Sequence, residues 1–233
     1  MKRVFFVVGV LLMSRTAMPA DGAKAAAGKT VRWIAFPDPR FEIRGLPWFA
    51  ENAPDLWRLP KRAIAKGLPK VVRDLGRSPS GGRIRFASTT SQLRIRARSV
   101  GAKERWNMSA FGGSGLDVYV NGVYWKSGVF PESDLDKTFF EGADRSRKEI
   151  VIYLPTYQEV RVLAIGVDAD AEIAAARPFA LDKPVVFYGS SVCQGSGVCR
   201  PAMTYEAIVC RRLNLDFVNL GFGGAGKAEP EVV

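Results

Sequence analysis

The sequence predicts a jelly-roll-like β-sandwich followed by the start of an α/β/α domain. Between residues 31 and 180, short β-type runs alternate with turn residues, as in sandwiches. From residue 183 to residue 233 the pattern changes to a continuous apolar run, a helical spacing and a second strand. A chain of 233 residues has room for two domains, and one strand–helix–strand unit is too small for a complete second one.

The first region contains runs in which apolar and polar residues alternate. Arg83–Ala87 is one such run, and Gln92–Arg98 is another. Alternate positions from Leu93 to Ala97 are predicted to face the core, and the arginines beside them are predicted to face solvent.

A hairpin is predicted where Asn121 and Gly122 separate two β-type runs, Leu116–Val120 and Val123–Trp125. Both turn residues tolerate the positive φ that a two-residue hairpin loop requires. Two more strands are predicted, at Glu149–Leu154 and Val160–Ile165.

The second region begins with Val185–Tyr188, whose continuous apolar run predicts a parallel strand covered on both faces. A helix is predicted over Met203–Leu213, with Thr204 as candidate N-cap. The next strand is predicted at Leu215–Leu220, which completes a βαβ unit. The apolar side of the Met203–Leu213 helix is predicted to consist of Tyr205, Ile208, Val209 and Leu213.

The N-terminus is typical of an export signal. Lys2 and Arg3 precede the apolar run Val4–Met13, which is too short to span a bilayer, and Ala20 or Ala25 is a plausible cleavage end. Residues 1–25 are therefore predicted to be a signal peptide of a secreted or periplasmic protein without a stable membrane anchor. A buried N-terminal strand is the alternative.

The net charge of +11 falls to +8 without the three basic residues of the first twenty. This excess is spread along the chain, so it predicts a solvated basic surface rather than a nucleic-acid site, and an acidic polysaccharide is a weaker option. Cys193, Cys199 and Cys210 lack the spacing of a zinc site, and no metal or cofactor is expected. Cys193 and Cys199 are predicted to form either a disulfide or small buried thiols.

A hydroxyl group is predicted at the end of the first strand of the second region. Ser191 follows Gly189 and Ser190 directly after the apolar run. In open parallel sheets ligands bind at the carboxyl ends of strands, so a nucleophile is one interpretation of Ser191. Ordinary turn chemistry is the other.

A glycine-rich loop, Gly221–Lys227, follows the next strand. Its backbone N–H groups are suited to an oxyanion. The loop also satisfies G-x-G-x-x-G weakly, and G-x-x-x-x-G-K with Ala228 where a phosphate-binding loop needs serine or threonine. The carboxylate of Glu229 is expected to compete with a phosphate there.

Together these segments resemble the SGNH (GDSL-type) hydrolases, and specifically bacterial esterases with an N-terminal β-sandwich. Gly189–Gly195 resembles the first family block, with Ser190 where aspartate is commoner, and Asn219–Gly224 resembles the second. Gly115–Tyr119 resembles the Gly-x-Asp-Leu-Tyr motif with valine in place of leucine. Arg58–Pro60 resembles the family's Arg-Leu-Pro segment.

The resemblance implies an α/β/α SGNH domain of flavodoxin-like type after the sandwich. It implies a secreted esterase acting on acyl groups, often acetyl, of a small molecule or polysaccharide. Ser191 would be the nucleophile, and its N–H and that of Gly224 would line the oxyanion hole. The family's later Asn and Asp-x-x-His blocks are not in this chain, which contains no histidine, so we expect it to be inactive alone.

Three alternative functions and two structural details stay open. The alternative functions are those of an acyltransferase, a non-catalytic carbohydrate-binding protein and a phosphate-binding loop protein. Asp117 forms a salt bridge and Tyr119 packs with its hydroxyl satisfied, or their strand borders the active-site cleft. The tryptophans are expected in the core or at the domain interface, with one or two available for stacking on sugars: Trp33, Trp48, Trp57, Trp106 and Trp125.

Overall fold

The computed structural model describes residues 30–101 and 107–230. The predicted signal peptide and Trp106 lie outside these ranges. Within them, no helix is both long enough and apolar enough to cross a membrane.

Two antiparallel sheets form the predicted sandwich. The strands of the first sheet are β1 (Val31–Ala35), β4 (Leu93–Val100), β7 (Leu135–Phe140) and β9 (Glu159–Asp168). Those of the second are β2 (Glu42–Arg44), β3 (Arg83–Ser88), β5 (Gly115–Val120), β6 (Val123–Val129), β8 (Lys148–Tyr153) and β10 (Ile173–Ala174). The first sheet has the order β1-β9-β4-β7, and the second has the order β10-β3-β8-β5-β6, with β2 also paired to β3. Short helices connect them: α1 (Phe49–Asn52), α2 (Lys61–Ala65), α3 (Lys70–Leu75) and α4 (Ala110–Ser114).

The sandwich core lies between these sheets, and its residues follow the alternation of the sequence. In β4, Leu93, Ile95 and Ala97 are fully buried, while the positions between them are half-buried. They pack with residues of the second sheet such as Ile84 and Ile152 in one cluster. The predicted orientation of β4 is confirmed.

The predicted hairpin is also confirmed. β5 and β6 pair antiparallel, with Val120 opposite Val123. Asn121 and Gly122 have φ values of 50° and 79°, the left-handed geometry of a two-residue turn.

The C-terminal segment, residues 183–230, forms the predicted βαβ unit. Its elements are β11 (Val185–Gly189), α5 (Ser191–Gln194), a 3-10 turn (Pro201–Met203), α6 (Tyr205–Leu213) and β12 (Phe217–Gly221). β11 and β12 are parallel, and Gly189 lies opposite Gly221 at their shared end. The Thr204 hydroxyl accepts a hydrogen bond from the Ala207 N–H, which confirms Thr204 as the N-cap of α6.

Two predictions about burial in the C-terminal segment are wrong. In β11, Val186 and Tyr188 are exposed, because no described element covers that face of the two-stranded sheet. In α6 the exposed residues include Tyr205, Val209 and Leu213, which were predicted to share the apolar side. The helix instead buries Glu206, Ala207 and Cys210, since that side faces β12 and the sandwich.

Candidate active site

The two segments that resemble the family blocks meet at the ends of β11 and β12. The Phe222 N–H donates to the Gly189 carbonyl oxygen at 2.8 Å, directly beyond the last paired residues. A methyl group on Gly226 would overlap that same carbonyl, so the backbone approach requires glycine. The glycine loop, defined as residues 221–226, therefore lies against the Ser191 turn, defined as residues 189–195.

Ser191 is the first residue of α5, and it is half-exposed. The preceding Ser190 is exposed and has the non-helical backbone of an N-cap. Gly195 ends the turn at φ 103°. Its partial exposure makes the Ser191 hydroxyl accessible. The hydroxyl makes no hydrogen bond within residues 30–101 and 107–230, so no general base contacts it there.

Gly224 lies at the exposed tip of the glycine loop. Its φ of 82° is left-handed, and open space surrounds the position where a side chain would begin. The requirement for glycine here is conformational rather than steric. Among described residues its N–H donates to no acceptor, which leaves it available for an oxyanion.

Two buried amides hold the glycine loop against the Ser191 turn. The Asn219 side chain donates to the Cys193 carbonyl oxygen at 2.5 Å and accepts from the Gly221 N–H at 2.9 Å. The Gln194 side chain accepts from the Gly223 N–H at 2.8 Å. Both are fully buried. The sequence did not predict this role of Gln194, because the hydrogen-bond partners of a single glutamine cannot be predicted from the residues around it.

Arg58 fixes the same region from the sandwich side. It is 1% exposed, and it donates to the Gly221 carbonyl oxygen at 2.6 Å, the Leu75 carbonyl oxygen at 2.8 Å and the Ser78 carbonyl oxygen at 2.9 Å. Its guanidinium lies 4.8 Å from the centre of the Phe222 ring. Burial lowers the pKa of Arg58 to about 10, so it remains charged at neutral pH. The Arg-Leu-Pro resemblance marked Arg58 but gave it no task.

Asp117 and Tyr119 join the sandwich to the chain that follows the Ser191 turn. Asp117 is fully buried and accepts from Ser127, from the Ala202 N–H and from Arg200. Arg200 also donates to the Tyr119 hydroxyl at 2.7 Å. The interpretation of a salt bridge and a satisfied hydroxyl is confirmed, and the bridge links the sandwich to the C-terminal segment.

The phosphate-binding interpretation of the glycine loop meets a carboxylate. Glu229 accepts from the Lys227 N–H at 3.0 Å and from the Tyr188 hydroxyl at 2.7 Å. The Tyr188 hydroxyl in turn accepts from the Ala228 N–H. The Glu229 carboxylate thus takes the Lys227 N–H and the Tyr188 hydroxyl, which a phosphate at this loop would need as donors.

All three cysteines are free thiols, so the predicted disulfide alternative is not formed. Cys193 and Cys210 are buried and Cys199 is exposed. Burial raises the pKa of the Cys193 thiol to about 12, which makes it unreactive near neutral pH. Within the described ranges, no group of three or more His, Cys, Asp or Glu side chains is arranged to hold a metal ion.

The tryptophans divide between packing and exposure. Trp48 and Trp57 pack against the cluster that contains Phe222, at the boundary between sandwich and C-terminal segment. Trp33 is half-buried beneath Arg96, whose guanidinium lies 4.6 Å from the ring centre. Trp125 is 47% exposed on β6, so it is the described tryptophan most available for stacking.

Comparison with known proteins finds a family model that matches each of the two regions. Residues 31–173 match the family model of GxDLY, the N-terminus of SGNH-hydrolase-type esterases, and residues 182–233 match that of the GDSL-like lipase/acylhydrolase family. No curated protein matches the chain.

Two solved structures share the fold over most of the chain. A protein from Bacteroides ovatus ATCC 8483, assigned as a GDSL-like lipase, is 26% identical with a TM-score of 0.77 over 87% of this chain and 60% of its own. The salicylyl-acyltransferase SsfX3 of a tetracycline biosynthetic pathway is 24% identical with a TM-score of 0.70 over 87% of this chain and 57% of its own. The chain thus spans about three fifths of the length of these relatives.

The match over residues 31–173 covers more than half of the sequence, and the second match continues it through the Ser191 turn and the glycine loop. The chain belongs to the SGNH-hydrolase-type esterase family that carries a GxDLY N-terminal domain.

Proposed function

We propose that the protein is a serine esterase that hydrolyses acyl esters through an acyl-enzyme on Ser191. The observation that carries this proposal is the contact between the Ser191 turn and the glycine loop. Asn219, Gln194 and the Phe222–Gly189 hydrogen bond fix these two backbones against each other. A hydroxyl and free N–H groups held at the same sheet end are the arrangement that acyl transfer needs.

In the proposed reaction, the Ser191 oxygen attacks the ester carbonyl carbon and its proton passes to a general base. The carbonyl oxygen becomes an oxyanion, which the N–H groups of Ser191 and Gly224 stabilise. The C–O bond to the alcohol breaks, and the protonated alcohol leaves. Water gives a proton to the base and attacks the acyl carbon. The bond to the Ser191 oxygen then breaks, the acid leaves, and the serine oxygen takes the proton back.

The general base has to come from outside these 233 residues if it is a histidine, because they contain none. We therefore propose that turnover belongs to a longer protein and that this chain alone is inactive. Acetyl groups on carbohydrate are the substrate that we propose, and exposed Trp125 is a surface suited to a sugar ring.

Fluorophosphonate labelling of the longer protein tests the nucleophile. We expect Ser191→Ala to abolish both labelling and release of acetate from acetylated xylan. Ser190→Ala is the matched control, since it removes the neighbouring exposed hydroxyl, and it should keep the label. Labelling that persists in Ser191→Ala would disprove the assignment. Failure of the unaltered protein to react would instead favour a carbohydrate-binding protein.

The acyltransferase alternative differs only in the second step, where a sugar hydroxyl replaces water. Identification of the acetyl product formed from nitrophenyl acetate in the presence of xylose separates the two, since both reactions release nitrophenol. Acetate as the main product supports the esterase, and acetylated xylose as the main product supports the transferase.

We also propose that the protein is secreted or periplasmic, on the basis of the signal-like pattern before Ala25. Mass spectrometry of the mature N-terminus after expression in a bacterial host tests this. Cleavage after Ala20 or Ala25 supports export, and an intact N-terminus argues against it.

A further inference from the structure

A cleft lies at the opposite end of β11 and β12 from Ser191. It has a volume of about 300 Å³ and is lined by Tyr119 and Tyr153 of the sandwich, Arg211 near the end of α6, and Phe217 at the start of β12. Because four residue steps along a strand separate Phe217 from Gly221, the cleft is roughly 13 Å from the Ser191 end. It is therefore separate from the proposed active site.

The wall of this cleft is strongly basic. Four guanidinium groups line it, and Glu149 supplies the one carboxylate among the lining residues. The four are Arg83, Arg85, Arg177 and Arg211. Such an excess of like charge beside a cavity favours an anionic occupant.

Two of the four arginines are already neutralised. Arg83 forms a buried ion pair with Asp216, and Arg85 pairs with Glu42 at 3.0 Å. Neither Arg177 nor Arg211 has a carboxylate partner among the described residues. Arg211 donates only to uncharged oxygens, including the Ala202 carbonyl at 3.1 Å. Glu149 is the one carboxylate among the lining residues that is left for these two guanidinium groups. It accepts from the Arg177 backbone N–H at 2.9 Å and lies 3.9 Å from the Arg147 side chain, so an excess of positive charge remains.

Aromatic rings hold the charged groups in place. The Arg211 guanidinium lies 4.4 Å from the centre of the Tyr119 ring, and that of Arg85 lies 3.8 Å from the centre of the Phe179 ring. Stacking on rings restricts a guanidinium without satisfying its N–H donors in the plane. The Arg211 guanidinium is therefore positioned before any ligand arrives, while Arg85 is held in place and already donates to Glu42 and to the Arg177 carbonyl oxygen.

We propose that this cleft binds a compact organic anion, with a carboxylate or phosphate on a ring or short apolar body. The oxyanion pairs with Arg177 and Arg211, whose planar donors suit two oxygens at once. The body of the ligand lies against Phe179 and Tyr119. A volume near 300 Å³ is at the lower end for ligand pockets and suits a monosaccharide-sized molecule.

Isothermal titration of the 233-residue chain tests the site, with glucuronate, benzoate and inorganic phosphate as probes and glucose as the neutral counterpart of glucuronate. We expect saturable binding of at least one anion with a Kd below about 1 mM, and binding of glucose at least tenfold weaker. Absence of saturable binding for all three anions would overturn the proposal.

Single variants locate the binding. Arg177→Gln should weaken it at least tenfold, and its side chain makes no hydrogen bond in the described ranges whose loss would unfold the protein. Arg211→Gln should weaken it similarly. Arg98→Gln, which removes a half-exposed arginine paired with Asp134, should leave it unchanged. Equal affinity in Arg177→Gln and Arg98→Gln would show that the anion binds elsewhere. Because Ser191 takes no part, esterase activity and anion binding succeed or fail separately.

Discussion

In β4 of the sandwich, Leu93, Ile95 and Ala97 are fully buried, whereas in β11 of the C-terminal segment Val186 and Tyr188 are 58% and 38% exposed. The sequence patterns of both strands predict that these apolar residues are buried. The difference is the layer opposite: β4 faces a second sheet, and the outer face of β11 meets no described element. Sequence pattern thus reports which face is suited to burial, and only tertiary packing decides whether it is covered.

The two regions are nevertheless tightly joined where the site lies. Arg58 reaches from the sandwich side to the end of β12, and Asp117 reaches to the chain after the Ser191 turn. Both side chains are buried, so the C-terminal segment depends on polar contacts from the sandwich as well as on the small apolar cluster that it shares with Tyr119 and Tyr153.

Replacing Arg58 by methionine should have the largest effect. It leaves the buried carbonyls of Gly221, Leu75 and Ser78 without their donor, and we expect a loss of about 3–6 kcal/mol in the free energy of unfolding. Hydrogen exchange should show residues 217–226 losing protection while residues 93–97 keep theirs.

Arg98→Met is the matched control, because Arg98 is a half-exposed arginine with one surface ion pair. We expect it to change the free energy of unfolding by less than about 1 kcal/mol. Similar losses for both variants, or equal loss of protection in both regions, would contradict the role given to Arg58.

Much of the fold was predictable, because β4 and the Asn121-Gly122 hairpin depend on local alternation and turn conformation. The placement of Ser191 beside the glycine loop was also predictable, since parallel strands bring their ends together. The contacts of Arg58 and Gln194 were not, because they join residues far apart in sequence: Arg58 lies 163 positions from Gly221. The exposed side of α6 was mispredicted because Glu206, a charged residue, occupies the buried side.

Matched truncations measure the contrast between the two strands directly. In the 233-residue chain, Ile95→Ala should lower the free energy of unfolding by about 2–5 kcal/mol, since it leaves a cavity in a closed core. Val186→Ala should lower it by less than about 1 kcal/mol, since its side chain is already in solvent. Urea unfolding followed by fluorescence measures both. Comparable losses would mean that Val186 is covered in solution.

The smallest expected effect concerns Glu206, the charged residue on the buried side of α6. It is fully buried, and neither carboxylate oxygen has a hydrogen-bond partner of ordinary geometry in the described ranges. Burial raises its pKa, and weaker contacts with its backbone, the Cys193 thiol and Tyr205 oppose that rise only in part. A carboxyl group with a raised pKa is neutral in the fold at a pH where it ionises in the unfolded chain.

The sign of the pH dependence follows from this. The contribution of Glu206 to stability is most favourable below the unfolded pKa of glutamate, about 4.3, and it is lost as the pH rises through the higher folded value. Glu206→Gln removes this ionisation, so it should flatten the fall in Tm between pH 4 and pH 8. The recovered free energy should be about 1.4 kcal/mol for each unit by which the folded pKa exceeds the unfolded one. Glu132→Gln, an exposed change, is the control. If Tm in Glu206→Gln declines with pH as steeply as in the unaltered chain, the Glu206 carboxylate does not destabilise the fold. A hydrogen-bond partner or water then solvates it, and the pKa of Glu206 is not raised by burial.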